Sequence, residues 1–167
     1  MLNPVLSDLS LTIEQVKNIE KELNRELNHK HMLVLLVENS GQIIATNGKN
    51  TRNYDLSSIA ALSVASYESI KGLATAMKQT FTYIFNQGTT SNLFITRATE
   101  QTILVIDYDP SIPINEVQGV VKNFSQEIQK LSKDWSIIDK SNHKSGTGPL
   151  KDDGLESQID NMFNDIN

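Results

Sequence analysis

Six consecutive apolar residues, 32–37, constrain the fold of this chain more than any other feature of its sequence. A strand with one face in water alternates apolar and polar residues, whereas an unbroken apolar run is typical of a strand covered on both faces. Turn residues follow at 39–41, and residues 42–46 then form a second predicted strand. The sequence therefore predicts a sheet that carries helices on both of its faces.

Three helices are predicted around this hairpin. Thr12 and Gln15 form a capping box at the start of a helix over residues 13–27. Asp55 suits the N-cap of a long helix over residues 56–78. The last helix covers residues 115–131, where apolar side chains recur at helical spacing.

Three more strands are predicted between the second and third helices, at residues 81–85, 93–97 and 102–106. The connections between them are of hairpin length, so the sheet is expected to be mostly antiparallel. The element order αββαβββα predicts a three-layer α/β domain with a central five-stranded sheet.

The chain divides into three parts at a change of composition. Residues 1–138 form the predicted domain, residues 139–154 a polar, Gly-containing flexible linker, and residues 155–167 a short amphipathic helix. The last segment carries one apolar stripe at helical spacing: Leu155, Ile159, Met162, Phe163 and Ile166. Such a segment is typical of a helix that docks in a groove, and a frayed terminus is the alternative.

Composition excludes several classes of function. A net charge of −5 argues against a nucleic-acid partner, which favours a basic face. The chain has no cysteine, no run long enough to span a membrane and no signal peptide, so a cytoplasmic protein is expected. It also lacks the GxxxxGK[ST], GxSxG and HExxH motifs, so we expect no catalysis of its own, no cofactor and no metal. Asp107 and Asp109 precede Pro110, which favours a turn over a cation site.

The long helix carries the main functional signal. Its large residues Ile59, Leu62, Ile70, Leu73 and Met77 form, with Ser66, a stripe that we expect to face the sheet. A second stripe contains only small residues: Ser58, Ala61, Ala65, Ser69, Gly72 and Ala76. Small side chains allow another helix to approach closely, which favours a homodimer in which the same stripe occurs on both subunits. The alternative is close packing of this helix on its own domain.

The strand after this helix points to the same interface. Phe81, Tyr83 and Phe85 alternate along it, with neither Pro nor Lys to protect an exposed edge. Pairing of this edge with a second copy would join two sheets, whereas the alternative places these aromatic residues in the core. A third side of the helix holds Val64, Tyr67, Glu68 and Lys71. With Arg52 in a nearby loop, it is either a partner-binding surface or an ordinary solvated face.

These elements resemble those of the roadblock / dynein-light-chain family. The matching pieces are residues 41–45, residues 55–62 and the three strands within residues 81–106, and the resemblance covers residues 12–135. It implies a homodimer built through the long helix and the following strand. MglB-type bacterial members, to which the resemblance extends, dock a small Ras-like GTPase over their paired helices.

The resemblance further implies stimulation of GTP hydrolysis by positioning of the GTPase's own residues, without an arginine finger, in a bacterial cell-polarity role. Two alternatives stay open. One is a structural adaptor without effect on hydrolysis, and the other is a sensor of small ligands resembling PAS or profilin domains.

Overall fold

The computed structural model describes residues 8–27, 32–48 and 54–138. The helices are α1 (Ile13–Leu27), α2 (Leu56–Ala76) and α3 (Ile114–Leu131), and α3 continues into a short 3-10 turn, Ser132–Asp134. The strands are β1 (Asp8–Ser10), β2 (Met32–Glu38), β3 (Ile43–Gly48), β4 (Tyr83–Gln87), β5 (Asn92–Arg97), β6 (Thr102–Tyr108) and β7 (Ser136–Ile138).

Five of these strands form one sheet in the order β3-β2-β6-β5-β4. Every neighbouring pair in it is antiparallel, which confirms the predicted α/β domain with a five-stranded sheet. The apolar run lies in β2 between β3 and β6, where its side chains enter two cores. One core packs against α1 and α3, and the other packs against α2.

Helices α1 and α3 cover the first face of the sheet. Ile19 and Leu23 of α1 and Phe124 and Ile128 of α3 are fully buried there. Ile13, which helical spacing with Val16 and Leu23 places on the buried stripe of α1, is instead 78% exposed. The predicted capping box is confirmed, because the Thr12 N–H donates to Gln15 Oε1 at 2.8 Å and the Gln15 N–H donates to Thr12 Oγ1 at 3.2 Å.

Asp55 caps helix α2 as predicted. The Ser58 hydroxyl donates to Asp55 Oδ2 at 2.6 Å, and the Ser58 backbone N–H donates to Oδ1 at 3.1 Å. These bonds, the hydroxyl first, lower the pKa of the Asp55 carboxyl below its ordinary value. The stabilisation is therefore fully present above the pKa of the unfolded carboxyl, and it is lost as the pH falls through the lower folded pKa.

Lys78, which follows the C-cap residue of helix α2, lies in the left-handed region, with φ at 53°. Only glycine adopts this conformation without a steric penalty from Cβ. Lys78→Gly is therefore expected to raise the free energy of unfolding by about 1 kcal/mol. Chemical denaturation measures this change, and Lys78→Ala is the matched control because it removes the charge and keeps Cβ. An equal gain in both variants would show that charge, and not backbone conformation, limits stability.

A two-stranded ribbon, β1 with β7, was not predicted from the sequence. It joins the start of the described chain to the segment after α3, with Leu9 opposite Ile137. Glu38, which is 3% exposed, connects β1 to the main sheet through hydrogen bonds of its side chain. Its Oε1 accepts the Leu9 backbone N–H at 2.7 Å, and its Oε2 accepts the Ser40 hydroxyl at 2.9 Å. These bonds satisfy a buried carboxylate that would otherwise destabilise the fold.

Candidate docking surface

Helix α2 turns small residues toward the sheet it covers. Ala60, Ser63 and Ala74 are its buried residues, and Ile59 and Tyr67 pack partly against the same core. Small inward side chains let the helix axis lie close to the strands.

The prediction that the stripe of large residues faces the sheet was wrong. Leu62 is 67% exposed, Leu73 49% and Met77 51%, while Ile59 and Ile70 are half-buried. Because apolar residues occur on all sides of this helix, size alone did not identify the buried side.

The small-residue stripe lies on the side of α2 away from the sheet. All six of its members are exposed: Ser58, Ala61, Ala65, Ser69, Gly72 and Ala76. A Cβ added at Gly72 would meet no atom within 4 Å beyond the backbone of its own helix. Glycine inside a helix costs about 1 kcal/mol relative to alanine, and nothing within this protomer compensates for that cost among the described residues.

One member of the stripe, Ala61, lies close to another element of the protomer. A Cβ built on Gly41, in the β2–β3 turn, would lie 3.6 Å from the Ala61 Cα. The turn therefore passes close to α2 at this point. Together, the small-residue stripe and the neighbouring Leu62, Leu73 and Met77 form what we call the outward surface of α2.

Strand β4 is an edge of the sheet. It pairs only with β5 among the described strands, and Tyr83 and Phe85 are each 39% exposed. Tyr83 stacks on Phe94 of β5 with ring centroids 4.9 Å apart. Phe81, predicted to be within this strand, precedes it and is half-buried. These aromatic residues are thus partly packed in the core of the protomer. They also lie on or next to an unpaired strand edge, and such an edge is a template for pairing with another chain.

The predicted partner-binding residues differ in their surroundings. Val64 and Tyr67 are half-buried and pack against the protomer's own core. Glu68 and Lys71 are exposed and form an ion pair of 3.2 Å. Such an exposed pair contributes little to stability, so both groups are available to a partner. Arg52 and the tail residues Leu155, Ile159, Met162 and Phe163 lie outside the described residues.

Asp109, weighed above as a possible cation ligand, forms a structural contact. Asp109 Oδ1 accepts the Ser111 backbone N–H at 2.8 Å, which is an Asx turn at the end of β6. Within residues 8–27, 32–48 and 54–138, no three His, Cys, Asp or Glu side chains are grouped so that they could hold a metal ion. No helix in the same residues is both long and apolar enough to cross a bilayer.

Comparison with known proteins identifies the fold. Residues 17–107 match the Roadblock/LC7 domain. Myxococcus xanthus MglB is similar in structure, with a TM-score of 0.65 and 26% identity over 75% of this chain and 95% of that one. Gliding protein MglB from Thermus thermophilus has a TM-score of 0.61 and 21% identity over 79% of this chain and 98% of that one.

A third structure, described as MglB with a tetrameric arrangement, has a TM-score of 0.68 and 19% identity over 79% of this chain and 98% of that one. Comparison with curated protein sequences finds no significant match. The structural matches span nearly the full length of each of these proteins, and they confirm the resemblance drawn from the sequence.

Proposed function

The chain belongs to the Roadblock/LC7 family, and we propose that it is a cytoplasmic homodimer that docks a small Ras-like GTPase and stimulates its hydrolysis of GTP. The observation that supports the dimer best is the exposure of apolar side chains on the outward surface of α2. Leu62, Leu73 and Met77 are about half or more exposed there. We take this exposed apolar side of the helix as the interaction surface.

A second copy fits this surface for two reasons. Gly72 and Ala65 leave room for a helix backbone to approach, and a two-fold axis would bring the same small residues together from both chains. The unpaired edge of β4 offers a main-chain hydrogen-bonding surface next to it. A dimer through both elements would cover the apolar residues and remove the exposed edge.

Two paired α2 helices would present their polar flanks as one platform. The exposed Glu68 and Lys71 lie on this flank, and charged groups at an interface rim steer association and set specificity. The resemblance to MglB-type members implies that the partner is a Ras-like GTPase whose own residues perform the chemistry. We assign this protein no catalytic step of its own.

The test is GTP hydrolysis by a Ras-like GTPase from the same organism, measured with and without this protein. We expect at least a tenfold faster turnover and preferential binding of the GTP-bound state. The double substitution Glu68→Lys with Lys71→Glu keeps an ion pair on the helix but exchanges the positions of the two charges on the platform. It should therefore reduce the stimulation of GTP hydrolysis without altering the mass of the assembly. Binding without acceleration would favour an adaptor, and no binding in either nucleotide state would exclude this partner class.

A further inference from the structure

A surface cleft of about 390 Å³ lies at the β3 edge of the main sheet, between that strand, β1 and the start of α1. Strand β3 pairs only with β2 among the described strands, and β1 pairs only with β7. No described strand therefore fills the space between β3 and β1. None of the lining residues belongs to α2 or β4, so the surfaces that we assign to the dimer do not cover the cleft.

The walls of the cleft suit an apolar ligand. Its apolar lining residues are Leu9, Leu11, Val16, Ile43 and Ile44. Glu38 is the one charged lining residue, and it is already satisfied within the protomer, where its oxygens accept hydrogen bonds from the Leu9 backbone and the Ser40 hydroxyl. The volume falls within the range of about 300–1,000 Å³ that is usual for ligand sites.

Ile13 extends this apolar surface beyond the cleft. It is 78% exposed, more than any other large apolar side chain among the described residues. Val16 follows three residues later, so the two side chains are neighbours on one side of α1. The opposite flank of the helix faces the turn after α3, because Gln15 Nε2 donates to the Asp134 carbonyl at 3.0 Å. Ile13 and the cleft together therefore form an apolar surface on the β3 side of α1.

We propose that this surface binds the chain's own residues 155–167, called the tail below. On a helical wheel the polar residues Ser157, Asn161 and Asn164 lie on one side of the tail. The other side is its apolar stripe: Leu155, Ile159, Met162, Phe163 and Ile166. A helix with one apolar side is the usual ligand of an apolar groove. Isolated helices below about 12–15 residues are marginal in water, so binding would stabilise the helix as well as cover the groove.

The point at which the chain leaves the described domain favours the tail as the occupant. Ile138, the last residue of β7, lies opposite Asp8 of β1, and the next residue, Leu9, lines the cleft. The ribbon is on the α1/α3 side of the sheet, since Leu11 and Trp135, which flank it, pack against that core. At the usual spacing of paired strands, Ile138 is therefore within about 10 Å of the cleft.

The predicted linker, residues 139–154, is long enough to return the tail to this cleft. Sixteen residues of flexible coil have a root-mean-square span of about 20–24 Å, which exceeds the distance to be covered. A tether of this length gives the tail an effective concentration on the order of millimolar at the cleft. A free ligand, or a second copy at micromolar concentration, has no such advantage. Residues 1–7 lead straight into β1, so they would have to reverse direction within a few residues to enter the cleft beside Leu9.

The absence of cysteine from the sequence makes a direct test possible. Asn161→Cys places a single spin label on the polar side of the tail in the full-length, isotope-labelled chain. We expect the amide resonances of Leu11 and Ile44 to lose more than half of their intensity. The resonance of Thr75, on the α2 side of the sheet near β4, should be unchanged. Unperturbed amides at Leu11 and Ile44 would overturn the proposal.

Two substitutions separate specific binding from random contact of a tethered segment. Phe163→Asp in the labelled chain should abolish the intensity loss, and Ile13→Glu should recover at least half of the lost intensity. Ile13→Leu is the matched control, because it keeps an apolar side chain and should keep the broadening. Ile13 is exposed, so neither change at this position disturbs the core. Broadening that survives both Phe163→Asp and Ile13→Glu would contradict specific binding.

A mixed sample distinguishes binding within one chain from binding to a second copy. It combines isotope-labelled chains that lack the spin label with spin-labelled chains that lack the isotope. We expect no intensity loss at Leu11 and Ile44 in this mixture. A loss there would refute binding of the tail to its own chain, because the tail would then occupy the cleft of another copy. This inference does not depend on the proposed GTPase partner, since no GTPase is present in the experiment.

Discussion

Replacing Gly72 by Leu should weaken the dimer about ten- to hundredfold while the protomer stays folded. The added side chain meets open space within the protomer, because a Cβ at Gly72 has no neighbour within 4 Å beyond its own helix. In the dimer the same side chain would occupy the space into which the second helix packs. Overpacking of this kind costs roughly 1–3 kcal/mol, and each 1.4 kcal/mol is about a tenfold change in affinity.

Gly119→Leu is the matched control for this experiment. Gly119 lies inside α3, is exposed, and a Cβ there would also meet nothing within 4 Å. Both substitutions exchange a poor helix former for a good one, so each protomer should gain about 0.5–1 kcal/mol of stability. Sedimentation velocity should show dissociation for Gly72→Leu alone. Equal dimerisation of the two variants would remove the small-residue stripe from the interface.

Leu62→Glu should abolish dimerisation more completely than the glycine substitution. Leu62 is 67% exposed in the protomer, so a charged residue there costs the isolated chain little. Burying a leucine contributes about 1.5–3 kcal/mol, and a two-fold interface loses that contribution twice. An unpaired carboxylate forced into the contact adds a desolvation penalty. We expect the dissociation constant to rise by more than about a hundredfold.

Ile13→Glu provides the comparison for an exposed apolar side chain elsewhere. Ile13 is 78% exposed in the first turn of α1, on the opposite side of the sheet. The substitution introduces the same charge and removes a side chain of the same size, and a carboxylate in a first helical turn is favourable. Light scattering should therefore find Ile13→Glu dimeric and Leu62→Glu monomeric. Dissociation by both variants would indicate a general effect of charge on association.

Periodic helices were predictable from the sequence, whereas the orientation of α2 was not. For α3, polar residues such as Lys122 fill one side, so the buried side follows directly from the pattern. For α1 the pattern identified Leu23 as buried, but it also included Ile13, which is exposed in the first turn. Helix α2 has apolar residues all round. Its inward side is defined by close packing of Ala60 and Ala74 on the sheet, and its outward leucines have no partner in a single described chain. A helix with apolar residues on two sides carries two apolar patterns, and spacing alone does not show which of them faces the sheet.

The β1–β7 ribbon escaped prediction for a different reason. Each strand is only three residues long, too short to show a period of two. What stabilises the ribbon is a long-range contact between the Leu9 backbone and the Glu38 carboxylate. In the sequence, Glu38 directly follows the apolar run 32–37. A charged residue at that position usually indicates the start of a turn. Contacts of this kind become visible only when distant segments are brought together in space.

The burial of the residues predicted to bind a partner was predictable only in part for a related reason. Val64 and Tyr67 have the composition of apolar anchors for a partner, yet they pack partly against the sheet of the same protomer. Glu68 and Lys71, on the same flank, point to solvent. Sequence spacing placed these residues on one side of the helix, but the division between core and surface along that side depends on where the underlying strands end.

Sedimentation equilibrium of the full-length protein across the micromolar range tests the central proposal most directly. If a second copy covers the outward surface of α2, the measured mass will approach twice the 18.6 kDa of one chain. A mass of 18.6 kDa at every concentration would contradict this account, because Leu62, Leu73 and Gly72 would then remain exposed in solution with no second chain against them.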